Sequence, residues 1–197
     1  MIVLSPGMGV TVSFTPQMEK RLTQRAVRML NRSLREFPEL RNLEVRVGHT
    51  KTKLGVAFIP RHLRPPLYIR LRVRGLTYNT IGHELTHLVQ GLTKLPAPDG
   101  AFAWEPIPIG ETQCDIWTLA RSELFCDDAP TYLRMPRTVR ERWRHYAGRV
   151  RLLCVEAIRQ RPGHRTYIRW LETRIAELPE RTPVARPDAP EQLSLSL

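Results

Sequence analysis

Around Gly75 the hydrophobic period changes from two residues to nearly four, and this switch constrains the fold more than any other feature of the chain. Before it, Leu67, Ile69, Leu71 and Val73 alternate with Tyr68, Arg70 and Arg72, the pattern of a half-buried strand over 67–73. After it, Ile81, Leu85, Leu88, Val89 and Leu92 recur at helical spacing. Upstream, Leu43, Val45 and Val47 alternate with Glu44 and Arg46, and Val56 to Ile59 is a short apolar run ending at Pro60, so three strands are expected. A first helix should open at Thr15-Pro16, a capping hydroxyl followed by proline, and run through Leu22, Ala26, Met29, Leu30 and Leu34 to Pro38. Further helices are expected from Glu111 through Leu124, over about 137–160, and over 164–178. One helix, three strands and then four helices make an α+β chain.

At 197 residues the length favours one domain, taken as 1–178, with 179–197 as a flexible tail carrying Pro179, Pro183, Pro187 and Pro190 and no periodicity. No run approaches the roughly 18 apolar residues of a membrane-spanning helix. The opening 1–8 stretch has no basic flank and is broken by Pro6 and Gly7, so it does not read as a signal peptide. Three cysteines, Cys114, Cys126 and Cys154, without a CxxC pair suggest reduced thiols, and a cytoplasmic location is expected. The net charge of +12 comes from 31 Lys+Arg, with lysine only at 20, 51, 53 and 94. This excess leaves room for a nucleic acid or an acidic protein as partner and speaks for no membrane and no particular fold.

The chemistry concentrates in His83-Glu84-Leu85-Thr86-His87. Histidines at i and i+4 of a helix share one face, where two imidazoles can reach the same Zn2+. The glutamate after the first histidine of such a pair accepts a proton from water and does not bind the metal, which makes Glu84 the candidate general base. A catalytic zinc takes a third protein ligand and keeps one open position. The segment Leu88 to Lys94 carries no histidine, and Leu92 stands where a SprT-like arrangement needs one. Downstream, Glu111, Asp115, Glu105 and Asp99 are the candidates for the third ligand.

Glu111-Thr112-Gln113-Cys114-Asp115 lies on the next expected helix, 24 residues after His87. HExxH followed by ExxxD resembles the gluzincin zinc metallopeptidases, particularly the compact mini-gluzincins. The stretch from Glu111 to Ala120 and on to Met135-Pro136 is also similar to the ImmA/IrrE family, the likeness covering about 77–136. Gly110 departs from the gluzincin pattern, which has asparagine before the glutamate. The resemblance implies a zincin-like fold in which His83, His87 and Glu111 bind zinc and Asp115 orients His83. It implies hydrolysis of peptide bonds in a protein or peptide substrate. Tyr132, His145, Tyr146 and His164 are candidate donors to the oxyanion, and strand 67–73, preceding the metal helix, is expected to be the edge that pairs with substrate. Cys114, three residues from Glu111, could turn toward the metal, but a buried thiol on the opposite face of its helix is the favoured reading; His49 and His62 read as unremarkable, and the four tryptophans as packing residues. The alternative function is a non-catalytic, metal-stabilised DNA-binding or regulatory protein, although a structural site has no need of Glu84.

Overall fold

The computed structural model describes residues 3–4, 9–62, 66–94, 106–163 and 166–178. They form an α+β structure built on one mixed sheet of five strands: β1 (Val3–Leu4), β2 (Thr11–Phe14), β3 (Glu44–His49), β4 (Gly55–Phe58) and β5 (Leu67–Leu71). The order across the sheet is β1-β2-β3-β5-β4. β2, β3 and β5 run parallel, while β1 and β4 close the two ends antiparallel to their neighbours.

Two expectations about the sheet are corrected. It has five strands, not three: Val10, Val12 and Phe14 alternate with Thr11 and Ser13, and this short run pairs in parallel with β3. The strand at 67–71 is not an edge. It lies between β3 and β4, because β4 turns back after β3 and joins on the far side of β5. Among the described residues β4 is therefore the edge strand on this side of the sheet, and its partners Leu71, Arg70, Ile69 and Tyr68 sit opposite Gly55, Val56, Ala57 and Phe58.

The first helix is also divided. α1 (Pro16–Glu19) is capped by Thr15, and α2 (Gln24–Arg35) restarts where the Thr23 side chain accepts from Ala26 N–H at 3.1 Å. Then come α3 (Tyr78–Leu92), α4 (Glu111–Arg121), α5 (Arg137–Glu141), α6 (Trp143–Gln160) and α7 (Tyr167–Ala176). α3 packs on β4 and β5 and against α2 and α4; α6 packs between α4 and α7. Val12, Val45, Val47, Ile69 and Leu71 from the sheet and Ile81, Leu85 and Leu88 from α3 share one core and are fully buried. No described helix is long and apolar enough to cross a membrane. The expected tail 179–197 lies outside the described residues, as do Asp99, Glu105 and His164.

Candidate metal centre

Helix α3 carries the motif because its N-terminus is fixed twice. Thr77 caps it by accepting from Thr80 N–H at 3.1 Å, and the Asp127 carboxylate accepts from Tyr78 N–H and Asn79 N–H at 2.7 and 2.8 Å. Asn79 then donates to the Phe125 carbonyl at 2.9 Å, tying α3 to the 3-10 turn Glu123–Cys126 that follows α4. Gly82 lets the two layers approach closely: a Cβ there would lie 2.6 Å from the Phe125 ring and 2.8 Å from Thr118. At the same level Thr86 Oγ1 and Thr118 Oγ1 are hydrogen-bonded at 2.8 Å. This close crossing of α3 and α4 brings the residues of the two motifs together.

His83 Nδ1 lies 2.8 Å from Asp115 Oδ1, and the other oxygen of Asp115 accepts from Tyr132 N–H and Leu133 N–H at 2.6 and 2.9 Å. A carboxylate only accepts, so His83 donates through Nδ1. His87 Nδ1 lies 2.7 Å from Gln90 Oε1. The Gln90 amide is oriented by donating to the carbonyls of Pro108 and Gly110 at 2.7 and 3.3 Å, so its oxygen must accept and His87 also donates through Nδ1. In the neutral rings both Nε2 atoms then carry lone pairs, and both face Glu111 Oε2, at 3.0 and 3.2 Å. Three acceptors converging on one point need a cation between them, a proton or a metal ion. The donor set, two imidazoles and a carboxylate, suits zinc.

Cys114 corrects an expectation. Its buried thiol does not face away from α3 but donates to the His83 carbonyl at 3.0 Å. His83, His87 and Cys114 form a buried group whose donor atoms all lie within 4.8 Å of one another and which could hold a metal ion. Burial, with Asp115, Glu84 and Glu111 nearby, pushes the thiol well above its ordinary pKa.

The histidines line a cleft of about 490 Å3. One wall is the 53–59 segment containing β4, the floor is α3, and Glu111, Thr131 and Tyr132 close the other side. Glu84 is only 6% exposed, and its carboxylate packs so closely over β4 that a Cβ on Gly55 would collide with it. Burial, reinforced by the Glu111 charge and opposed by His83 and Lys53, lifts the Glu84 pKa to about 7. Burial pulls the His83 pKa down, but Asp115, through its hydrogen bond and charge, together with Glu84 and Glu111, outweighs it and the net direction is up. Tyr132 stacks on the His83 ring at 5.7 Å between centroids and is half exposed to the cleft.

Of the other expected donors, Tyr146 is buried in the core and His145 lines a separate pocket beside Asp127 and Arg142. Gln90 was not anticipated from the sequence; its signal is its place three residues after His87, one turn along the same face. Compared with protein-family models, with curated proteins and with solved structures, the chain matches none.

Proposed function

We propose that the cleft is the active site of a zinc-dependent peptidase, in which His83, His87 and Glu111 hold the metal and Glu84 is the general base. The observation that carries this reading is the convergence of two imidazole lone pairs and one carboxylate oxygen at the floor of a cleft that also contains a buried glutamate. Glu111 is preferred to Cys114 as third ligand because it lines the open cleft, whereas the thiol is engaged by a backbone carbonyl behind it. A bound zinc ion would supply a Lewis acid that makes water acidic near neutral pH and stabilises negative charge on a carbonyl oxygen.

The remaining work falls to side chains of this chain. Asp115 and Gln90 hold the two rings with Nε2 toward the cleft. Glu84 takes the proton of the attacking water and delivers it to the leaving amine, a role favoured by a pKa near neutrality. The Tyr132 hydroxyl is positioned on the cleft wall to donate to the developing oxyanion. The side of β4 that pairs with no strand among the described residues offers backbone groups to an extended peptide, and the exposed Leu54, Phe58 and Ile59 beside it favour apolar side chains in that peptide.

The test is cleavage of a mixed peptide library, read by mass spectrometry, by the zinc-loaded wild type and two variants. Glu84→Gln should retain metal and lose at least about 100-fold in rate. Tyr132→Phe should lower kcat by about 100-fold with little change in KM. Full activity in Glu84→Gln, or an intact library after exposure to the zinc-loaded wild type, would defeat the reading.

A further inference from the structure

A second concavity, of about 770 Å3, opens at the carboxyl ends of the parallel strands β3 and β5 and shares no lining residue with the metal cleft. His49 ends β3 and is followed by Thr50 and Lys51; Arg72 follows β5 and leads through Val73 and Arg74 to Gly75. The opposite wall comes from Arg21, Thr23 and Arg25, at the turn between α1 and α2. Ligands of sheets with parallel strands collect at such strand ends, where the following loops converge.

The charged side chains of this pocket are all of one sign. Arg21, Arg25, Lys51, Arg72 and Arg74 line it, and no carboxylate does among the described residues. Arg21 donates to the Gln17 carbonyl at 3.3 Å, but Arg25, Lys51, Arg72 and Arg74 have no ion-pair partner among the described residues. Two side-chain nitrogens of the lining, Arg72 Nε and His49 Nδ1, are shielded from solvent and have no hydrogen-bond partner among the described residues. A buried polar group without a partner is costly, the more so on a charged side chain, and Arg72 Nε, which can only donate, calls for an acceptor that the described residues do not supply. Ala26, Met29 and Leu76 give the same pocket an apolar floor.

We propose that this pocket binds a small organic molecule carrying a phosphate or diphosphate group. Arginine guanidinium groups pair with phosphate oxygens through two parallel hydrogen bonds, and Arg25, Arg72 and Arg74 line the pocket with no ion-pair partner among the described residues. The volume falls within the range of small-molecule sites, and the apolar floor suits a flat organic portion better than a continuous nucleic-acid backbone. The site stands whether or not the metal cleft is catalytic.

Calorimetric titration of the full chain with inorganic pyrophosphate, with ATP and with a short DNA duplex tests this. Both small probes should bind saturably at one site, and binding should weaken at least tenfold in Arg72→Gln and in the double variant Lys51→Ala/Arg74→Ala. The double variant alters two exposed side chains, so its fold should persist even if Arg72→Gln loses stability. The proposal is overturned if neither small probe binds at millimolar concentration, if both bind the folded double variant as they bind wild type, or if the duplex alone binds.

Discussion

His83 and His87 are oriented by different partners, and the difference gives each residue its own expected phenotype. Asp115 accepts from the His83 ring and from two backbone N–H groups, so Asp115→Asn cannot satisfy all three donors. It should weaken zinc binding about 10- to 100-fold in a chelator-competition titration and cost about 1–3 kcal/mol of stability. Glu84 has the opposite relation to stability. Its folded pKa, about 7, lies above the 4.5 of an ordinary glutamate, so the metal-free folded state binds the proton more tightly than the unfolded chain. Its contribution is therefore fully favourable below about pH 4.5 and is lost as pH rises to about 7. In metal-free protein Glu84→Gln should be stabilised over wild type by up to about 3 kcal/mol above pH 7 and by almost nothing near pH 4. Melting temperatures across that range check the sign. A difference that grew toward acid would contradict it.

At the scale of elements, the close crossing of α3 and α4 positions the site, and Gly82 permits it. Gly82→Ala must push a methyl group into Phe125 or Thr118, and should cost about 1–3 kcal/mol, seen as a melting temperature lower by several degrees. What the sequence disclosed about these elements follows the range of the forces involved. α3 and α4 were legible because an amphipathic face and a cap are local. The division of α1 from α2 was hidden because Leu22 and Ala26 keep the apolar spacing across the break, although Thr23 is a second capping residue. β2 was missed because four residues of alternation run straight into the Thr15-Pro16 helix start. The edge strand was assigned wrongly because order in a sheet depends on pairing between distant segments, which the period within 67–73 does not encode. His83, Glu84 and His87 are read from their spacing on one helix, whereas Glu111 and Asp115 take their roles from the resemblance of HExxH and ExxxD to a known family. The inward turn of Cys114 was the less favoured of two readings, because it depends on the interhelical distance, which spacing along one helix does not set.

For the whole molecule, one sheet supports two concavities of different character. β4 and α3 bound an open cleft around the histidines, while the far ends of β3 and β5 gather five cationic side chains. A ligand that binds the folded state alone raises stability with its concentration. Zinc should accordingly raise the melting temperature in a concentration-dependent way that a chelator reverses, and Glu111→Ala should blunt the rise. The most direct test of the account is the metal content of the purified, zinc-reconstituted chain by elemental mass spectrometry. We predict about one zinc per chain in wild type, Glu84→Gln and Cys114→Ser, and loss or sharp weakening in His87→Ala and Glu111→Ala. Wild type without zinc would contradict the metal centre itself, and zinc kept by Glu111→Ala but lost by Cys114→Ser would move the third ligand to sulfur.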